Sequence, residues 1–368
     1  MALYTRQTLI IAYIILGLIS GPYCLNIIQD VSFLHEISDI GIIFLLFLLG
    51  LHIEIENLLK ILNKALFVTI ISSGLFVFSI ICVCYFFGIG RESYIIGIAL
   101  IFSSTIICLK LLPNSVLYNK RVGQLVVAIL LIQDLLAVLS MTAVSLWSSQ
   151  NDSSQLQILT KFFLALPILS GAAYVARKYF LLKLLHKFSP FKEYTFLISI
   201  GWSLGLAQAA VFFGLPNELG AFIAGIAITN SPVSKYVYEC LTPLKNFFLI
   251  LFFFSTGAEI EINYLPLIWK IVAILTTLVL ILKPLLHYLT LWILQESKSE
   301  SLEVGIRLGQ SSEFSLILIS LVSAAGLITN LSSMVVKTVT IASFILSSYI
   351  VVLKYPMPIE SSECLKHH

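Results

Sequence analysis

Twelve runs of apolar residues leave this chain few ways to fold. Of its 368 residues, 59% are hydrophobic and only 11% are charged, about half the charged share of a soluble domain. In lipid every backbone N–H and C=O must be paired within the protein, so runs of about 20 apolar residues read as membrane helices. The expected spans are A 7–21, B 37–52, C 62–87, D 93–112, E 121–147 and F 156–184, then G 194–213, H 217–229, I 241–257, J 264–294, K 300–325 and L 331–353. Spans A, B and H are short for a plain crossing, which allows partial unwinding or a re-entrant start. The fold class expected is an all-α polytopic membrane protein with about 12 transmembrane helices.

An even number of crossings puts both termini on one face. Sixteen of the 22 Lys and Arg residues then gather on that face, among them Arg6, Lys64, Lys110, Arg121 and Lys298. Arg91, Lys161, Lys270 and Lys337 fall on the other, and Lys283 and Arg307 lie inside helices. Such an excess predicts that both termini are cytoplasmic. The net charge of +3 then reflects topology, and no nucleic-acid partner is expected. The six cysteines show no metal-ligand spacing, and Cys82 and Cys84 turn away from each other on a helix. They read as free thiols packing as small hydrophobes. No cofactor is expected, and no metal beyond a transported cation. The first apolar run lacks a small-x-small cleavage site before Pro22, so it is expected to be retained.

The chain also repeats itself. Gly97-Ile98-Ala99-Leu100-Ile101-Phe102-Ser103-Ser104 returns as Gly305-Ile306-Arg307-Leu308-Gly309-Gln310-Ser311-Ser312, an offset of 208. Gly50 before His52-Ile53-Glu54-Ile55 returns as Gly257 before Glu259-Ile260-Glu261-Ile262, and Leu16-Gly17 with Gly21 is echoed by Leu219-Gly220 with Gly225. A transmembrane domain over 1–353 would then hold repeat one at about 7–147, linker helices at about 156–213 and repeat two at about 217–353, with a short cytosolic tail at 354–368. Because the second copy starts after seven crossings, it enters from the opposite face. Inverted five-helix repeats of this kind build secondary transporters whose ion site lies where the copies meet.

Polar residues at mid-membrane mark where that site would be. Span D carries Ser103-Ser104-Thr105, and span K carries Gly309-Gln310-Ser311-Ser312-Glu313 at the same depth. Short hydroxyl side chains can bond back to the preceding turn, but their occurrence in both copies favours two discontinuous helices. Asp134 lies in the middle of span E, whereas Asp30, Asp39 and Asp152 fall in loops or at helix edges. A carboxylate at the bilayer centre costs about 2.5–3.5 kcal/mol on insertion scales, so it is expected to bind an ion, relay a proton or pair with a base. Lys283 is equally far from either interface, and an ion pair with Asp134 that yields to an arriving cation is the sharper reading of it. Glu313 and Arg307 would neutralise one another in part or brace the broken helix. Glu54, Glu56, Glu259 and Glu261 are assigned no chemistry.

At these residues the chain resembles a known family. Gln133-Asp134 is similar to the Gln-Asp pair of the Kef-type potassium/proton antiporters, within the monovalent cation/proton antiporters. Gly41 to Leu51, Ser103-Ser104-Thr105, Leu219 to Gly225, Pro243-Leu244-Lys245, Phe252-Phe253 and Gln310-Ser311-Ser312-Glu313-Phe314 resemble further blocks of that family. The resemblance implies two crossed discontinuous helices and a homodimer in a membrane, here a bacterial inner membrane. It implies that Asp134 holds either a proton or a cation, with Ser104, Thr105 and the Gln133 amide completing the shell and Lys283 competing for the carboxylate. It also implies transport of H⁺ against K⁺ or Na⁺ and no enzymatic activity. Family members commonly carry one more helix at the front and a cytosolic nucleotide-binding domain behind. Regulation by a nucleotide or glutathione is not carried over to this chain, and a separate regulatory subunit is one partner the resemblance allows.

The function expected is antiport, with mutual exclusion at one carboxylate doing the coupling. A truncated, non-transporting relative is one alternative. An intramembrane hydrolase is another; it would need Asp134 and Glu313 within reach of one water, and it gains nothing from an inverted repeat.

Overall fold

In a computed structural model of the chain, residues 9–28, 32–52, 55–110, 121–148, 155–188, 192–213, 215, 217–229, 231 and 234–355 are described. Asp30, Glu54, Asp152, Cys364 and the tail beyond residue 355 lie outside them. All regular structure among the described residues is helical.

Each of the twelve expected spans has its helix. The first copy contains α1 (Leu9–Ser20), α2 (Ser32–His52), α3 (Ile55–Phe86), α4 (Glu92–Leu100), α5 (Thr105–Lys110) and α6 (Arg121–Ser148). Between the copies lie α7 (Gln155–Ala176), α8 (Leu182–Phe188) and α9 (Lys192–Phe212). The second copy contains α10 (Asn217–Ile228), α11 (Ser234–Ala258), α12 (Leu265–Thr277), α13 (Lys283–Ile293), α14 (Lys298–Arg307), α15 (Glu313–Ala324) and α16 (Asn330–Lys354). Six helices among the described residues are long and apolar enough to cross a membrane, and Ile11–Ser20, Leu219–Ile228 and Glu313–Ala324 are shorter apolar helices.

The differences from expectation have simple causes. Helices α2, α3 and α11 begin five to seven residues early, at Ser32, Ile55 and Ser234, because hydropathy marks only the apolar part of a helix. Asp39 therefore lies inside α2 and not at its edge. Lys337, counted to the outer face, is buried on α16. Span J bends through a wide turn at Leu278–Leu282, where the Lys283 N–H reaches back five residues to Leu278 O. Pro284 explains this, since it lacks an N–H and its ring crowds the Leu280 carbonyl.

Contacts divide the chain into two compact units. One comprises Met1–Ala12, Leu59–Ala137 and Ile260–His368; the other comprises Tyr13–Leu58 and Val138–Glu259. Each draws on both repeats. The first takes spans C and D, E as far as Ala137, and J, K and L; the second takes most of A, the rest of E from Val138, and B, H and I with the linkers.

Within the second unit, glycines mark the repeat. A Cβ on Gly17 would collide with Phe254 O, and one on Gly257 would collide with Ile14 O, so α1 and α11 touch backbone to backbone. Likewise a Cβ on Gly50 would meet Phe222 O and one on Gly225 would meet Phe47 O, so α2 and α10 do the same. If α1 corresponds to α10 and α2 to α11, these are one crossing seen twice. Small residues permit such approach where lipid supplies no hydrophobic drive between helices. On that correspondence Gly17 matches Gly225 and not the Gly220 of the sequence echo, whose missing Cβ faces Leu206 and Ala207 of α9 instead.

Candidate functional site

The first unit holds both interrupted helices. Span D loses its helix over residues 101–104 and restarts at Thr105; span K loses it over residues 308–312 and restarts at Glu313. Serine does the restarting in both. Ser104 Oγ accepts the Ile107 N–H at 3.1 Å. Ser312 Oγ accepts the Phe314 N–H at 3.2 Å, while its own N–H donates to Ser315 Oγ at 3.3 Å. A hydroxyl at this position satisfies amides that the first helical turn leaves unpaired.

The two breaks are bonded to each other. Ser104 N donates to Ser311 O at 2.9 Å, Ser103 Oγ donates to Leu308 O at 2.9 Å, and Gln310 Nε2 reaches Ser104 O at 3.4 Å. Unwound backbone at membrane depth survives only when protein groups satisfy it, and here each break supplies partners for the other.

Asp134 on α6 stands against the first break and is 1% exposed. Thr105 Oγ1 donates to Asp134 Oδ2 at 2.9 Å, and Ser103 N donates to Gln133 Oε1 at 3.0 Å. The other carboxylate oxygen, Asp134 Oδ1, is buried without a hydrogen-bond partner, as is Gln133 Nε2. A buried polar atom left this way asks for an explanation. An unpaired carboxylate oxygen beside hydroxyl and amide oxygens suits a proton or a dehydrated monovalent cation. The structure therefore brings together Asp134, Gln133, Thr105 and Ser104. Gln133 has a second task unseen in the sequence, bracing the first break, and its amide oxygen keeps one lone pair free. Ser104 Oγ is occupied as a helix cap.

Lys283 corrects the expectation. It is 1% exposed, but among the described residues no ion pair joins it to Asp134. Its ammonium instead donates to Leu100 O at 3.3 Å, Phe102 O at 2.8 Å and Gln310 O at 2.9 Å. An ammonium carries three donors, and three carbonyls exposed by the two breaks take them. Helix C-termini also carry partial negative charge, so a cation there gains from the dipoles as well. His287, one turn on, places Nδ1 2.8 Å from Lys283 O and Nε2 3.4 Å from Ser72 Oγ.

Glu313 opens α15 and is 2% exposed. Arg307 is equally buried; it pairs with Glu303 on its own helix at 2.8 Å, and its guanidinium stands 5.1 Å from the Tyr355 ring centre. That pair lies within α14, on one side of the break.

Sequence reasoning missed the contribution of α16. Ser311 N donates to Ser343 Oγ at 3.0 Å, and Ser347 Oγ donates to Gln310 Oε1 at 3.0 Å. The available signal was the repeat itself, because α16 is the counterpart of α6.

Outside the apolar spans, Glu296 in the turn after α13 receives Lys64 of α3 at 2.6 Å and Arg121 of α6 at 2.8 Å. Burial pushes the Glu296 carboxyl up, but hydrogen bonds and charge from Arg121 and Lys64 outweigh it and hold the group below its ordinary value. Elsewhere, Glu92 accepts from Thr329 N at 3.0 Å and from Thr329 Oγ1 at 2.9 Å.

Comparisons with known proteins agree on one group. Residues 2–353 match the family described as sodium/hydrogen exchanger, transmembrane. The chain is 30% identical over 335 residues to K(+) efflux antiporter 6 of Arabidopsis thaliana, covering 88% of this chain and 55% of that protein. It therefore spans about half the length of the plant antiporter. It is 24% identical over 354 residues to the iron transporter MagA of Paramagnetospirillum magneticum, covering 94% of this chain and 79% of that protein. The solved sodium proton antiporter MjNhaP1 from Methanocaldococcus jannaschii at pH 8 shares the fold with a TM-score of 0.71 at 17% identity, over 96% of this chain and 94% of that one.

Proposed function

From the premise that the chain belongs to the sodium/hydrogen exchanger transmembrane family, we propose that it exchanges a monovalent cation, K⁺ or Na⁺, for H⁺ at Asp134. One observation carries the reading: a fully buried carboxylate, one oxygen held by Thr105 and the other unpaired, set against the two bonded helix breaks. Binding either ion satisfies the open oxygen, and the carboxylate cannot hold both. Alternating exposure of this site to the two faces would then couple the flows. Thr105 holds the carboxylate in place, and Gln133 fixes the first break beside it. Lys283, bonded to three carbonyls, is read as a fixed structural cation and not as a competitor for Asp134.

The finer assignments are part of the same proposal. Residues 1–353 form the exchanger domain, with repeats at about 7–147 and 217–353. Its membrane is a bacterial inner membrane with both termini cytoplasmic. The meeting of Lys64, Arg121 and the Glu296 turn supports placing those residues on one face, and the excess of Lys and Arg there supports taking that face as cytoplasmic. A second copy of the chain is the expected partner, a separate regulatory subunit is a further one, and no enzymatic step is invoked.

The test is exchange in vesicles under an imposed pH gradient, with K⁺, Na⁺ and Li⁺ supplied in turn. The wild-type chain is expected to exchange at least one of them for protons, and Asp134→Asn none. Undiminished exchange by the variant would end this reading.

A further inference from the structure

We propose that Ser343 on α16 is a positioning residue for ion binding, setting through Ser311 and Ser104 where the Thr105 hydroxyl meets Asp134. The inference rests on Asp134 being the exchange site. Its basis is a continuous path of hydrogen bonds across four segments. Ser343 Oγ donates its single hydrogen to Thr340 O at 2.8 Å, so only its lone pairs are left to face Ser311 N, 3.0 Å away. Ser311 O in turn accepts the Ser104 N–H at 2.9 Å. Ser104 caps α5, whose first residue, Thr105, donates to Asp134 Oδ2 at 2.9 Å.

Three properties make this path more than incidental. Ser343, Ser311 and Ser104 are all fully buried, so water cannot replace a lost link. The links are backbone groups or one-torsion side chains, and a shift at one end has little slack to absorb it. The third property is the repeat. Ser103 and Ser311 are counterparts, and each gives its backbone N–H to a side chain from the last span of its own copy, Gln133 from α6 and Ser343 from α16. Ser343 thus does for the second break what the neighbour of Asp134 does for the first. Ser347 adds a second hold by donating to Gln310 Oε1, which turns Gln310 Nε2 toward Ser104 O.

The experiment measures cation dependence of exchange by Ser343→Ala, Ser343→Thr, Ser347→Ala and Ser79→Ala in vesicles. Ser79 is the control, since its hydroxyl bonds back to Leu75 O on its own exposed helix face. Ser343→Ala is expected to raise the cation KM about three- to tenfold, the affinity equivalent of one buried hydrogen bond, with maximal rate near wild type. Ser343→Thr should restore KM, Ser347→Ala should show a smaller rise, and Ser79→Ala none. An unchanged KM in Ser343→Ala, or a fall in yield and maximal rate alone, overturns the inference. If Ser343→Ala does not reach the membrane, Ser347→Ala decides, and an unshifted KM there overturns it. A dead Asp134→Asn with an unshifted Ser343→Ala sinks only this inference; an active Asp134→Asn sinks the reading beneath it.

Discussion

At the first helix break a glutamine from α6 accepts the Ser103 N–H, and the next residue of that helix is a buried carboxylate. At the second break a serine from α16 accepts the Ser311 N–H, and α16 brings no acid there. Charge differs between the copies elsewhere too. Lys283 lies in span J, whereas the corresponding span C carries, among the described residues, no charged residue near it and instead places the Phe76 ring 5.9 Å from the Lys283 ammonium. Duplication therefore explains the frame, meaning the breaks, their serine caps and the glycine contacts. Departures from duplication supply the chemistry: an acid on one side and a fixed base across the break.

The contrast between these two buried charges is the first thing to break. Asp134→Asn is expected to abolish exchange while leaving membrane yield and thermal stability equal to wild type or higher. Its amide can still accept from Thr105, and the cost of an unpaired buried carboxylate disappears. Lys283→Met is expected to do the reverse, cutting yield and Tm before transport is considered. Removing the buried charge recovers its desolvation cost, but the Leu100, Phe102 and Gln310 carbonyls then lack donors, at about 1–3 kcal/mol each. Lys283→Arg retains donors and should recover part of the yield. Parallel melts of detergent-purified variants check this; a fully stable Lys283→Met would show that the lysine is not a brace.

How these residues could be read from sequence follows from the same contrast. Asp134 is legible by cost, because a carboxylate within the apolar run Leu130–Ala137 needs an ion, a proton or a base to offset its burial. Ser103, Ser104, Ser311 and Ser312 were found because both copies place polar residues at one depth. The partner of Lys283 was misread: sequence displays opposite charges, whereas its true partners are backbone carbonyls, and only a broken helix leaves those free. Ser343 and Ser347 were invisible for another reason. Serine is ordinary in membrane helices, and most of its hydroxyls bond to their own turn, as Ser72, Ser199 and Ser348 do here. Helix starts were read late at α2, α3 and α11, where a polar turn precedes the apolar run.

A smaller effect sharpens the account of the first break. Thr105→Val keeps the shape of the side chain but removes the hydroxyl that holds Asp134 Oδ2. Loss of one hydrogen bond to a charged group corresponds to about 1.5–3 kcal/mol. The cation KM should accordingly rise by roughly ten- to a hundredfold, more than for Ser343→Ala, which acts at a distance. A ratio in the opposite order, measured in the same vesicles, would mean that Thr105 is the less important contact.

The least effect is expected where charge meets water. Glu296 ties α3 and α6 to the α13–α14 turn through Lys64 and Arg121, whose side chains are 27% and 38% exposed. Solvent screens such pairs, so each is expected to contribute about 0.2–1 kcal/mol. The carboxyl titrates below its ordinary value of 4.5 in the folded chain. Its contribution is therefore present above that value and is lost as pH falls through the lower, folded one. Glu296→Gln should lower Tm by a few degrees at neutral pH, and the gap to wild type should close on acidification below about pH 4. A gap that stays open in acid would mean that Glu296 holds the turn by packing and not by charge.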